Sequence, residues 1–378
     1  MQPRPFWTER IESAWRKRPI VWLRGVRRSG KTTLCRSLPS VEYFDCERPR
    51  HRRQMEDPEA FLESLEGRRV VLDEIHRLEN PAELLKIAHD HFPNVRIIAT
   101  GSSTLAATAK FKDTLAGRKE EVRLTPAIQV DLVSLRVRSL GKRLLQGGLP
   151  PFLLSDGFPE ADYQEWLDSY WAKDIQELFR LERRHSFLKF AELVFASSGG
   201  LFEATRFAAP CEVSRTTIMS YLDVLEATSV VSVVRPYSTS KTAEIVSAPK
   251  VYAFDTGFVC HARGWDVLRD DDRGPLWEHY VLNELLGRLQ LREVKYWRDK
   301  AGHEVDFVLA PRGRAPIAIE CKWSAARFEP NGLNSFARRY PQAKCWLVAN
   351  DVERPLTRRF GELEVTVAGL EHLVEQLG

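Results

Sequence analysis

Gly25-Val26-Arg27-Arg28-Ser29-Gly30-Lys31-Thr32 satisfies G-x-x-x-x-G-K-[ST] at every fixed position. Four apolar residues, Ile20-Val21-Trp22-Leu23, stand just before it, and residues 32–38 read as the opening of a helix. A glycine-rich turn between a buried strand and a helix start aims backbone N–H groups at phosphate oxygens, where the helix dipole adds partial positive charge. Lys31 would bridge the outer phosphates, and the Thr32 hydroxyl would ligate Mg2+. The candidate nucleotide segment is Gly25, Val26, Arg27, Arg28, Ser29, Gly30, Lys31, Thr32 and Thr33. ATP and Mg2+ are the expected cofactors.

Working outward, strand candidates at 41–44, 70–72 and 96–99 alternate with helical stretches such as 81–91. That alternation predicts a parallel α/β sheet, and the phosphate loop after its first strand makes it a P-loop domain. Val70-Val71-Leu72-Asp73-Glu74 is an apolar strand ending in two carboxylates. Asp73 would hold Mg2+ through water, and Glu74 would orient or deprotonate the attacking water. The next strand runs into Thr100-Gly101-Ser102-Ser103, where Ser102 is the hydroxyl expected near the γ-phosphate. Arg118, in Leu115-Ala116-Gly117-Arg118, is either a transition-state arginine, in cis or across a subunit boundary, or a plain surface residue. No N-K-x-D motif for reading guanine is present.

The chain has 378 residues, 43% of them hydrophobic and 29% charged. That length suits two or three domains, and the composition disfavours disorder. No run nears the ~20 apolar residues of a bilayer-spanning helix, and the basic N-terminal residues lack an apolar signal core. The expected class is cytoplasmic with no membrane partner. Cys35, Cys46, Cys211, Cys260, Cys321 and Cys345 form no CxxC pair, so reduced, packed thiols are expected. Net charge is +4, yet residues 1–56 carry 14 Lys/Arg against 6 Asp/Glu. Their Arg48, Arg50, Arg52 and Arg53 suit either phosphate groups or a solvated loop.

Gly-Gly-Leu-Pro-Pro at 147–151 breaks the chain, and residues 163–181 then read as one amphipathic helix. Helices at 187–196 and 214–227, followed by strands at 230–234 and 250–254, outline a winged helix. Ser214, Arg215, Thr216, Thr217 and Tyr221 would face DNA from its second helix, although protein docking uses the same outline. The expected division is a P-loop ATPase domain (1–130), a helical connector (131–185), a winged helix (186–260) and an α/β unit (261–378).

The order GVRRSGKTTL, VVLDEIHR, IIATGSS and LAGR, then YAFDTG, WEHYVLNEL, HEVDFVL and IAIECKWS, resembles prokaryotic AAA-type ATPases with a C-terminal domain of unknown function. The resemblance covers residues 20–350 and implies a P-loop (RecA/AAA-like) sheet domain with ATPase roles for Lys31, Thr32, Asp73 and Glu74. It also implies a C-terminal winged helix joined to a PD-(D/E)xK nuclease-like fold. After LAGR such proteins usually carry a Pro-Leu-Ser-Phe-type segment with an acidic residue. This chain has Thr125-Pro-Ala-Ile-Gln-Val-Asp131 instead.

In Ile317-Ala318-Ile319-Glu320-Cys321-Lys322, period-two alternation puts Glu320 and Lys322 on one face. Upstream, Val305, Phe307 and Leu309 are expected to pack one way, leaving Asp306 to meet Glu320. Two carboxylates and a lysine are the minimal set for metal-assisted phosphodiester hydrolysis, with Asp306 and Glu320 on the metal and Lys322 on the water. Glu278, on a helix expected to start near Leu276, is either a fourth member or a helix N-terminal Glu favoured by the dipole. DNA is the expected partner, with ATP, and a homo-oligomer is possible. The competing reading is a nucleotide-dependent signalling or scaffold switch whose C-terminal folds bind partners without cutting. A small-molecule kinase fits less well, because Glu74 suits water activation.

Overall fold

The computed structural model describes residues 4–101, 114–179, 181, 183–238, 247–291 and 293–378. Its N-terminal sheet comprises β1 (Ile20–Arg24), β2 (Val41–Asp45), β3 (Arg69–Asp73), β4 (Arg96–Thr100) and β5 (Lys119–Arg123). The order is β2-β3-β4-β1-β5, and every pairing is parallel. A parallel sheet is covered on both faces, so its central strands are apolar throughout. Val21, Leu23, Val71 and Ile98 pack beneath Trp7, Ile11 and Trp15 of the helix Pro5–Lys17 and Leu34 of the helix Lys31–Ser37. Trp22, Leu72 and Ile97 face Phe61 and Leu85 on the other side. The edge strand β5 went unforeseen because in Lys-Glu-Glu-Val-Arg only Val122 is buried.

The segment after β5 has a structural purpose. Asp131 is 1% exposed and receives Arg4 Nε and Nη2 at 2.9 and 2.6 Å, with Trp7 Nε1 at 3.0 Å. The acidic residue therefore ties the first helix to the end of the ATPase core. Beyond it come helices Leu140–Gln146, Pro150–Leu153 and Glu160–Tyr170. The single helix expected over 163–181 instead starts at Glu160 and passes through a π-helical turn, Trp171–Ile175. Such turns recur at functional sites because one extra residue re-aims the side chains around it.

The second sheet adds β6 (Gly200–Leu201), β7 (Val231–Pro236), β8 (Lys250–Ala253), β9 (Lys295–Arg298), β10 (Glu304–Leu309), β11 (Ile317–Lys322), β12 (Lys344–Ala349), β13 (Leu356–Phe360) and β14 (Leu363–Ala368). These nine strands run in the order β13-β14-β12-β11-β10-β9-β7-β8-β6. β10 is antiparallel to β9 and β11, whereas β11, β12 and β14 are parallel. β7 joins β9 through Arg235↔Lys295 and Pro236↔Tyr296, so the sheet crosses the division expected at 260/261. One apolar core extends from Val26 in the phosphate loop through Trp166 and Phe258 to Val374. All six cysteines are buried and unbridged.

A polar knot sits inside that core. Asp255 and Arg143, both fully buried, pair at 3.2 Å. Asp255 also accepts the N–H groups of Gly148 at 2.9 Å and Leu149 at 3.2 Å. Arg143 Nε donates to Ala127 O at 2.7 Å and its Nη1 to Thr256 Oγ1 at 2.9 Å. A buried charge is tolerated when it is paired and its hydrogen-bonding capacity is largely met; here Arg143 Nη2 is left without a hydrogen-bond partner, and the guanidinium carbon lies 5.1 Å from the centre of the Tyr280 ring.

Candidate functional site

The phosphate loop takes the form its glycines demand. Gly30 has φ +95°, and a Cβ at Gly25 would stand 2.4 Å from Leu124 O. Lys31 Nζ donates to the Gly25 and Val26 carbonyls at 2.8 and 3.1 Å. Charged phosphate oxygens would outcompete those neutral acceptors. Behind the loop Thr32 Oγ1 donates to Asp73 Oδ2 at 2.8 Å, and Tyr43 and Thr100 hydroxyls bond the same carboxylate. Hydroxyl and carboxylate at this spacing are the oxygen donors that Mg2+ favours, one direct and one through water. Mg2+ bound there would neutralise the outer phosphates, and the chain's own part is to hold Thr32 and Asp73 in register.

Glu74 follows β3 in a left-handed conformation, φ 54° and ψ 46°. Strain of this kind costs about 1–3 kcal/mol and persists where surrounding contacts impose it. Its main-chain N–H meets Thr100 Oγ1 at 3.2 Å. The side chain lines the cleft with His76 Nδ1 3.2 Å from its Oε2. Burial would raise the Glu74 pKa, but the His76 bond and the Lys31 charge outweigh it and hold the group below the usual carboxylate range. Glu74 is thus kept ionised, as a base toward water must be.

The cleft has a volume of about 390 Å³. Lys31, Thr32, Thr33 and Glu74 line one side; Pro150, Pro151, Lys173 and Asp174 from the connector line the other. Connector and loop are clamped together. Trp166 Nε1 donates to Arg27 O at 3.0 Å, Arg27 pairs with Asp174 at 3.1 Å, and Arg28 pairs with Glu165 at 2.5 Å. Sequence reasoning missed Tyr43, Thr100, Lys173 and Asp174. Only Thr100, at the end of an apolar strand beside β3, carried a readable signal. Ser102 lies outside the described residues. Arg118 does not line the cleft; Asp90 holds it at 3.0 Å, with Thr114 O also at 3.0 Å. A larger cleft of about 920 Å³ lies between β5 and β7, but Glu120, Glu121, Glu226 and Glu293 stand among its cations and it holds no phosphate loop.

In the C-terminal half, Phe307↔Ile319 and Val308↔Ala318 set a register that places Asp306 opposite Glu320. Asp306 Oδ2 accepts the Cys321 N–H at 2.7 Å, and Lys322 Nζ contacts Glu320 Oε1 at 2.7 Å. Burial pushes the Asp306 carboxyl well up, with Glu278 and Glu320 adding to the shift and Lys250 and Lys322 opposing it. Burial likewise raises Glu320, against Lys322. Val305 does not share a face with Phe307 and Leu309. A bulge between Val305 and Val308 turns it into the other core, beside Ala318 and Phe336.

The helix bearing Glu278 spans Asp270–Gly287, not a start near Leu276. Asp272 caps its first turn by accepting the Arg269 N–H at 3.0 Å, and Pro275 lies inside. Glu278 therefore stands in the third turn, where the helix dipole offers little. It meets Lys250 at 3.3 Å and the Tyr252 hydroxyl. Lys250 also contacts Glu304 at 2.5 Å. Lys250, Tyr252 and Glu304 were not foreseen; a lysine opening an apolar strand reads as a flanking charge. Among the described residues, no three His, Cys, Asp or Glu side chains converge as a metal-holding set. As folded, then, the cluster offers lysine ammonium groups and not a ready divalent-ion cage.

On the helix Arg215–Ala227, Ser214 caps the first turn by accepting the Thr217 N–H at 3.1 Å. Ser214, Arg215 and Thr216 are exposed. Tyr221 is 3% exposed and packs on Phe187 and Phe190, so it cannot face DNA; it shares the inward stripe of Ile218, Leu222 and Leu225.

Sheet order, phosphate loop and acidic strand end define an AAA-type P-loop ATPase domain. Residues 17–132 match the family described as AAA domain. Residues 137–269 and 273–366 match two domains of unknown function, DUF8612 and DUF4143. An uncharacterized protein of Mycobacterium tuberculosis, Rv2008c, is 29% identical over 327 residues, 83% of this chain and 72% of its own length. Among solved structures, the Walker-type ATPase PABY2304 of Pyrococcus abyssi is 16% identical, with TM-score 0.45 over 70% of this chain and 96% of that one. DnaA of Aquifex aeolicus with AMPPCP is 12% identical, with TM-score 0.30 over 58% of this chain and 86% of that one. No helix among the described residues is long and apolar enough to cross a membrane.

Proposed function

We propose that the chain is a Mg2+-dependent ATPase that couples turnover to DNA engagement by a winged helix and a nuclease-like unit. The observation that carries the reading is the cleft in which Lys31, Thr32 and Glu74 face one space, with Asp73 bonded behind Thr32. Lys31 would hold the outer phosphates, Thr32 and Asp73 the metal, and Glu74 the attacking water.

The order helix, strand, helix, helix, strand, strand over 184–253 supports the winged-helix reading. Exposed Ser214, Arg215 and Thr216 at a helix start suit phosphate contacts. The order helix, three strands, helix, strand over 270–349, with Glu278, Asp306, Glu320 and Lys322 around one point, supports the nuclease-like reading. The test is cleavage of linear, nicked and single-stranded DNA with Mg2+ or Mn2+, with and without ATP, alongside phosphate release. Cleavage by wild type that disappears in Asp306→Ala and Lys322→Ala is the expected result. ATP hydrolysis without cleavage under any condition would replace the nuclease reading with the partner-binding switch.

A further inference from the structure

Lys250 enters the carboxylate cluster from a different part of the fold than the carboxylates themselves. It opens β8, pairs with Val234 of β7, and is 4% exposed. Glu278 comes from the helix Asp270–Gly287, Glu304 and Asp306 from β10, and Glu320 and Lys322 from β11. The Lys250 ammonium lies 3.3 Å from Glu278 Oε1 and 2.5 Å from Glu304 Oε1, and its charge acts on Asp306. Its position is fixed along the way, with Nζ 5.7 Å from the centre of the Tyr296 ring. Four carboxylates thus face two ammonium groups and the guanidinium of Arg298, whose Nη1 lies 3.5 Å from Glu304 Oε2. One oxygen is left over: Glu320 Oε2 is buried and has no hydrogen-bond partner, on a side chain 12% exposed within a residue 9% exposed. A buried carboxylate oxygen without a donor beside an excess of negative charge is what a missing cation leaves behind.

We propose that Lys250 is an internal cation holding the place of a divalent metal in this cluster, and that ammonium and metal exclude each other there. The inference rests on reading Glu278, Asp306 and Glu320 as a nuclease-type site. A divalent ion needs several oxygens at once; of the carboxylates it would draw in, Glu278 is held by Lys250, and the same ammonium acts through its charge on Asp306. Both cations cannot be accommodated, because each is repelled by the other at contact distance in a poorly solvated place. Metal entry therefore requires the ammonium at the start of β8 to withdraw.

The experiment is a calorimetric titration of the full chain with Mn2+, without nucleotide, for wild type, Lys250→Met, Lys250→Arg and Lys250→Met with Asp306→Asn. Lys250→Met is expected to bind one Mn2+ at least about tenfold more tightly than wild type. Lys250→Arg should behave as wild type, and the added Asp306→Asn should remove the gained site. A Lys250→Met chain with native circular dichroism and no tighter Mn2+ binding overturns the proposal. If Lys250→Met folds poorly alone, Mn2+ is expected to restore its cooperative melting, since a ligand of the folded state stabilises it; no restoration by Mn2+ overturns the proposal too. DNA cleavage is scored separately. Tighter Mn2+ binding without cleavage sinks the nuclease reading and leaves the cation exchange standing.

Discussion

Asp73 and Asp306 are both buried strand aspartates, 3% and 7% exposed, and the fold treats them in opposite ways. Around Asp73 the partners are hydroxyls, from Thr32, Tyr43 and Thr100, while Lys31 rests on loop carbonyls. Asp306 accepts the Cys321 N–H under the charge of two lysines, and its neighbours Glu278, Glu304 and Glu320 are already in ion pairs. The first site is arranged for a cation that arrives with its ligand. The second carries its own. Hydroxyls can turn from donating to accepting when a metal comes, whereas an ammonium can only stay or leave.

The comparison breaks first at the lysines. Lys250→Met should destabilise the folded chain by about 1.5–3 kcal/mol, because it removes the cation shared by the partly buried Glu278 and Glu304, of which Glu304 keeps Arg298. Lys31→Ala should leave unfolding by denaturant almost unchanged. A similar loss of stability in both would end the distinction. Lys31→Ala should instead cut ATP hydrolysis on the order of 10²–10³-fold, read by phosphate release, since it removes a positioned charge from the outer phosphates.

A third carboxylate sharpens the contrast. Glu284 is fully buried, accepts the Gln129 N–H at 2.5 Å, and has no ion pair among the described residues. Burial pushes it from 4.5 up to about 7. Between those values the folded chain keeps a proton that the unfolded chain has released, so stability should fall as pH rises through that window. The loss is on the order of 3 kcal/mol, complete above the folded value. Glu284→Gln keeps an acceptor for Gln129 and should flatten that slope, measured as urea midpoints at about pH 5 and about pH 8. An unchanged slope would locate the titration elsewhere. The smallest expected effect is Tyr43→Phe, a loss of about 1.5 kcal/mol in denaturant unfolding from one hydrogen bond to a charged group. No loss would mean Asp73 does not depend on that hydroxyl.

The two sites also differ in how much of them could be read from the chain. The phosphate loop and Asp73-Glu74 are local: strand, turn and chemistry lie within a few residues, and apolar runs mark β1 and β3 as buried. β5 and Arg118 were less legible because a charged edge strand has neither period nor apolar run, and an arginine's partner can lie anywhere. In the C-terminal cluster, alternation pairs Glu320 with Lys322 and the return of the chain brings Asp306 opposite. Lys250 lies 56 residues before Asp306 in the chain, on a strand whose place in the same sheet no periodicity reveals. The bulge that turned Val305 over is equally silent, since alternation presumes an unbroken ladder.

The Asp255 knot gives these two sites a common beam. β8 begins at Lys250 and ends at Ala253, two residues before the carboxylate that grips Gly148 and Leu149. Those amides lead directly into Pro150 and Pro151, the wall of the nucleotide cleft. An extended stretch of that length spans only about 16 Å and resists compression as a paired strand does. A wall that shifts by more than a hydrogen bond can stretch must therefore either tear free of Asp255 or push the beam, and the far end of the beam is the lysine in the acidic cluster.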